Sequence, residues 1–189
     1  MILVVKGNDR YYMATNAYFC GVSRTLDSLD AIDEDNINIF FNPKSRALIG
    51  SGWSNPHFDI LKYHPESFTM EINTLNLKVA IDKLDDIETE YGLSYKNDED
   101  APNFVFIQDD NAYQISNSKM VVELNDIEIF SDGYENCAEL KCLYQANSNC
   151  DPIERIKESI VAFCKYRKVK ALPIVIYDSL NGERIVVNK

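Results

Sequence analysis

Two histidines, His57 and His64, stand seven residues apart. A metal pair on one helix needs a spacing of three or four with a carboxylate close by, and Pro65 ends the helix they would share. They read as surface or helix-end residues, and no metal is expected. Five cysteines, Cys20, Cys137, Cys142, Cys150 and Cys164, are odd in number and match no zinc or redox spacing, so free and mostly buried thiols are expected. The carboxylates Asp98-Glu99-Asp100, and Asp82, Asp85, Asp86, Glu88 and Glu90, lack the glycine and alternating oxygens of a calcium loop and read as solvated faces. No cofactor motif is present. Aromatic side chains offer the better binding candidate: Trp53 follows Ser51-Gly52, and Tyr18 and Phe19, with Tyr12 and Tyr63, can gather with it as a binding surface or pack as core.

The elements that must position these residues are punctuated clearly. Apolar runs at Leu3 to Val5 and Tyr11 to Thr15 flank Gly7-Asn8-Asp9-Arg10, a hairpin pattern, and Ile37 to Phe41 with Arg46 to Ile49 repeat it across residues 42–45. Ser54 and Pro56 start a short helix that stops before Pro65. A second helix carries Leu77, Ala80, Ile81, Leu84, Ile87, Glu88 and Tyr91 on one face, with Thr74 as N-cap. Residues 95–102 form a polar loop. Strands return at Phe104 to Gln108, Ala112 to Ile115 and a Lys119 to Phe130 stretch broken near Asn125-Asp126. Asp132 and Asp151, each with Glu three residues later, begin two more helices, the latter with Pro152 at its first position. Leu172 to Tyr177 and Arg184 to Val187 close the chain as a hairpin.

This order, strands broken by helix pairs, predicts an α+β fold: a four-layer αββα sandwich in a single domain, residues 1–189. Ile2-Leu3-Val4-Val5 and Pro173-Ile174-Val175-Ile176 are continuous apolar runs, as strands covered on both faces require. With 189 residues, 46% hydrophobic and 26% charged, a sizeable core is available. The net charge of −11 repels phosphate backbones and anionic bilayers, and the longest basic run, residues 165–170, is too short to override it. Nucleic acid and membrane are therefore not expected partners. The opening Met-Ile-Leu-Val-Val-Lys reads as neither signal peptide nor membrane span, which predicts a cytoplasmic protein.

Three stretches carry a resemblance. Residues 4–16, from Val4-Val5-Lys6 to Ala14-Thr15-Asn16, resemble the opening hairpin of the N-terminal nucleophile (Ntn) hydrolase fold of proteasome β-type subunits and HslV, which ends in Ala-x-Asp. Ala47-Leu48-Ile49-Gly50-Ser51-Gly52 is similar to the strand and small-residue turn before that family's first helix. Ile129 to Tyr134 resembles its Gly-Ser-Gly turn, and Cys164 to Asp178 the helix and strand that follow. The resemblance implies a threonine nucleophile at the mature N-terminus with its own α-amine as base, an aspartate ending the second strand and a lysine on the third.

The family's site residues are not matched. The nucleophile falls one position before Met1, which occupies the second place, and the aspartate falls on Asn16. Between Lys6 and Lys44 there is no lysine, and Arg24 is the only basic residue after the hairpin. A proteasome-like or HslV-like chain without peptidase activity is the reading, acting in assembly or as a binding module and forming a homo-oligomer or ring. Two alternatives stand beside it: an acidic inhibitor or immunity-type protein that binds a basic partner, and a threonine-peptidase relative activated by processing. Cleavage at Thr15, Cys20 or Ser51 would delete or invert the opening hairpin.

Overall fold

Gly7 and Arg10 turn the chain back on itself, the Gly7 amide donating to the Arg10 carbonyl at 2.7 Å. The flanking runs pair as β1 (Ile2–Lys6) and β2 (Tyr11–Asn16), with Lys6 opposite Tyr11 and Leu3 opposite Ala14. This is the predicted hairpin. The computed structural model describes residues 2–7, 9–16, 37–51, 56–63, 76–79, 82–83, 104–115, 120–124, 128–130, 138–147, 149–168 and 170–188.

The second hairpin joins β3 (Ile39–Asn42) to β4 (Ala47–Ser51). Asn42 Oδ1 accepts from the amides of Lys44 (2.9 Å) and Ser45 (3.3 Å), the side-chain turn expected of asparagine there. Helix α1 (Pro56–Tyr63) begins at the predicted proline and buries Phe58 and Leu61. Of the predicted helix from Leu77 to Tyr91, residues 76–79 and 82–83 are helical and Leu77 is buried; Thr74 and the remainder lie outside the described residues.

Four strands follow: β5 (Phe104–Gln108), β6 (Asn111–Ile115), β7 (Val121–Glu123) and β8 (Glu128–Phe130). The predicted break near Asn125-Asp126 has a larger meaning than a strand interruption. β7 pairs with β6 whereas β8 pairs with β1, so the chain changes sheets there. Helices α2 (Ala138–Ala146) and α3 (Pro152–Arg167) precede β9 (Ile174–Asp178) and β10 (Arg184–Val187). The predicted start of α2 at Asp132 lies outside the described residues.

Both sheets are antiparallel, ordered β10-β9-β2-β1-β8 and β3-β4-β5-β6-β7. Alternate side chains divide the core into three layers. Ile2, Val4, Met13, Leu48, Val105, Ile107 and Val175 fill the space between the sheets. Leu3, Val5, Ala14, Ile174 and Ile176 face α2 and α3, while Ile49, Phe104 and Phe106 face α1 and Leu77. All four residues Ile2 to Val5 are buried, which explains the unalternating run: one face meets a sheet and the other meets helices. Gly50 marks a close approach of the sheets, because a Cβ there would meet the Met13 sulfur and lie 3.0 Å from Ile2 Cδ1.

Helix α3 is fixed at both ends. Asp151 Oδ1 accepts from the amides of Ile153 (2.8 Å) and Glu154 (3.3 Å), and Lys168 closes the helix in the left-handed region. Glu154 turns instead to Lys157 at 3.2 Å. Arg155 clamps α2 to α3, donating to the Tyr144 carbonyl at 2.8 Å with its guanidinium 4.0 Å from that ring's centre. Asp151→Ala is expected to destabilise the fold by about 1 kcal/mol, lowering Tm by roughly 3 °C in a thermal melt.

Candidate functional site

β2 runs through the middle of its sheet, between β1 and β9, and every residue from Met13 to Asn16 is buried. Asn16 is its last residue, opposite Ile174, at 0% exposure. A buried polar side chain must find partners in the protein. The Asn16 side-chain amide donates to the Lys170 carbonyl at 2.9 Å and to Cys164 Sγ at 3.4 Å, and Thr15 Oγ1 donates to the Asn16 carbonyl at 3.3 Å. One side chain thus ties the central strand to the end of α3 and to the link leading into β9.

The Cys164 thiol beside Asn16 feels two opposing influences, burial, which raises its pKa, and the positive charge of the N-terminal amine, which lowers it. Burial prevails and pushes the thiol up to about 11, which favours its protonated form at neutral pH, and its sulfur accepts from the Asn16 amide. Lys6 stands at the opposite end of the hairpin, against the Tyr11 ring at 5.4 Å. Five strand positions along β2 separate that end from Asn16, roughly 17 Å. Lys44 sits in the turn between β3 and β4.

The far end of the hairpin is charged and well tied. Arg10 Nη1 meets the buried Asp178 carboxylate at 2.9 Å while its Nη2 meets Asp9, also at 2.9 Å. The Arg10 hydrogen bond holds the Asp9 carboxyl below its usual range. The Tyr11 amide donates to Ser179 Oγ, and the Ser179 amide donates back to the Tyr11 carbonyl. These bonds anchor the turn from β9 to β10, and they gather no group of three metal-binding side chains; none occurs among the described residues.

Asn16 is placed, as are two of the candidate aromatics: Tyr12 packs against the core beneath α2 and α3, and Tyr63 is 57% exposed, so these two do not gather with each other as a packed core. Met1, Tyr18, Phe19 and Trp53 lie outside the described residues, as do Cys20, Cys137, His64 and Asp98 to Asp100. The expectation of mostly buried thiols is corrected among the described cysteines: Cys142 and Cys150 are exposed and only Cys164 is buried. Cys142 points outward because α2 buries Leu140 and Tyr144, two positions to either side of it. No described helix is long and apolar enough to cross a membrane.

Two face-to-face antiparallel sheets, helices on both outer sides, and an opening hairpin that ends in a buried polar residue define the architecture of the Ntn hydrolases. Solved structures narrow this further. The chain is similar to Thiobacillus denitrificans BPH, with a TM-score of 0.67 and 11% identity over 99% of this chain and 97% of that one. That protein is also known in complex with epoxomicin. Anbu (ancestral beta-subunit) from Yersinia bercovieri matches at a TM-score of 0.60 and 9% identity over 100% and 87% of the two chains. Eukaryotic HslV from Trypanosoma brucei matches at 0.60 and 11% identity over 94% and 97%. The fold is therefore that of HslV and the proteasome β-type subunits. No protein-family model and no curated protein matches the sequence.

Proposed function

We propose that this chain keeps the proteasome-like fold without its peptidase chemistry, and serves as a subunit for assembly or binding. The observation that carries the reading is the chemistry of position 16. In the family it resembles, an aspartate there works beside a lysine, a charged pair that supports a nucleophilic N-terminus. Here a neutral amide donates to a carbonyl. A carboxylate in its place would set acceptor against acceptor at 2.9 Å, at 0% exposure. Its contacts with the Lys170 carbonyl and Cys164 Sγ suit an amide donor, and the sequence supplies no lysine between Lys6 and Lys44 to neutralise a carboxylate.

Homo-oligomer or ring formation is part of the same proposal, since the fold is shared with HslV and proteasome-like proteins. The free thiols of Cys142, Cys150 and Cys164 fit a cytoplasmic setting. Epoxomicin, the ligand in the BPH complex, is a direct probe. The purified chain, incubated with it, is expected to keep its intact mass. A gain of one inhibitor mass on the N-terminal residue of the mature chain would establish a working nucleophile and reject the proposal.

A further inference from the structure

Helix α3 buries Ile156, Ser159, Ile160, Phe163 and Cys164 and turns its opposite face outward. On that face Glu154, Glu158, Val161, Lys165 and, at the C-cap, Lys168 are all exposed. Their spacings of four, three, four and three keep them on one line along the helix, since two turns take about seven residues. The line is acidic in its first half and basic in its second, and Val161, 38% exposed, sits at its centre. Lys157 stands beside the line, drawn to Glu154 at 3.2 Å. Among the described residues Glu158, Lys165 and Lys168 make no ion pair.

The helix dipole favours acids in the first turn and bases in the last. It gives no reason for Glu158, in the middle of a 16-residue helix, or for an exposed valine between the two halves. Symmetry supplies one. Glu154 lies seven residues before Val161 and Lys168 seven after it, while Glu158 lies three before and Lys165 four after. At about 1.5 Å per residue the inner charges stand roughly 5 Å from the centre and the outer ones roughly 10 Å, each acid matched by a base on the other side.

We propose that this outward face of α3 docks on the same face of a second copy of the chain, with the two helices antiparallel and the two Val161 side chains meeting at a twofold axis. Glu158 of each copy then faces Lys165 of the other, and Glu154 faces Lys168, so every pair occurs twice. The charge order selects that occupant. A uniformly acidic or uniformly basic partner would suit one half of the line and be repelled by the other, and a parallel copy would set like charges together. A second copy turned end to end carries the same order reversed and suits both halves. This rests on the assembly reading above and names a surface that would carry it.

Sedimentation velocity of the full chain over a range of micromolar concentrations, at about 0.1 M salt, where charges about 10 Å apart still interact, tests it. The wild-type chain is expected to associate into a dimer or an even multiple of it. Lys165→Glu with Lys168→Glu, and separately Glu154→Lys with Glu158→Lys, should each weaken association about tenfold or more. The second pair of changes makes the chain less acidic overall, so general relief of repulsion would predict the opposite result. An equimolar mixture of the two variants should recover association, because an acidic line then meets a basic one. Val161→Glu, which sets two carboxylates against each other at the axis, is an independent variant expected to weaken association likewise, and circular dichroism checks that each chain is folded. Association that is unchanged in the folded variants, or a mixture no better than its components, overturns the docking proposal and leaves the assembly reading standing. A wild-type chain that stays monomeric throughout overturns both.

Discussion

Asn16→Asp is expected to cost about 3 kcal/mol of stability near pH 8 and little near pH 3. The new carboxylate would sit at 0% exposure against the Lys170 carbonyl, where the native amide donates at 2.9 Å. Desolvation disfavours its charged form, so its pKa in the folded chain rises above the unfolded value. The sign of the pH effect follows. Below the unfolded pKa both states hold the proton, and a protonated carboxyl can donate to the carbonyl as the amide does. As pH climbs, the unfolded chain releases its proton first, and the folded state loses stability until its own raised pKa is passed. Urea midpoints of the variant and the wild type at both pH values measure this. A variant that gains stability as pH rises would mean that a cation reaches position 16, which is the arrangement a peptidase of this fold would use.

Gly182→Ala is the second large effect, about 2–4 kcal/mol from two sources. Gly182 has φ of +70°, a left-handed conformation in which a side chain costs energy, and a Cβ there would lie 2.6 Å from Phe41 Cδ1 and 2.7 Å from Phe41 Cβ. The turn between β9 and β10 belongs to one sheet and Phe41 to the edge strand β3 of the other, so the contact locks the two sheets at this end of the sandwich. Shortening Phe41 to alanine removes the collision with the ring and leaves both the contact with its Cβ and the backbone strain. A double-mutant cycle with Phe41→Ala should therefore show coupling of about 1–2 kcal/mol, whereas strict additivity would mean that the ring yields without cost.

Local pattern dictates local structure in several parts of this chain. Gly7 to Arg10 between two apolar runs specified the opening hairpin, and Asp151-Pro152 specified the start of α3, because turns and caps are decided by neighbouring residues. The unalternating runs at Ile2 to Val5 and Ile174 to Ile176 went further and pointed to strands covered on both faces, hence to four layers. What the pattern could not show was pairing across the chain. The break near Asn125 is visible as composition, but that β8 leaves β7 for β1 is a tertiary fact.

Position 16 divides in the same way. That an asparagine ends β2 is plain from the sequence. That its amide meets Cys164 and the Lys170 carbonyl, partners 148 and 154 residues away, is not. One of these partners is a backbone oxygen, which no side-chain pattern announces. Cys164 falls on the buried stripe of α3 and is legible as core, yet nothing local marks it as the residue that faces Asn16. Likewise, the basic run at residues 165–170 is conspicuous as composition and dismissible as a nucleic-acid site. Only the helix end shows that Lys165, Tyr166 and Lys168 emerge together.

Whether the chain hydrolyses peptides through its own N-terminus separates a working peptidase from a fold that has set that chemistry aside. The decisive measurement is turnover of a panel of fluorogenic peptides by the purified protein, compared with the same protein after carbamylation of its α-amine. No turnover above background is expected in either. Turnover in the untreated chain that disappears on carbamylation would show an N-terminal amine acting as base, and would contradict the reading of this fold as one that has set its peptidase chemistry aside.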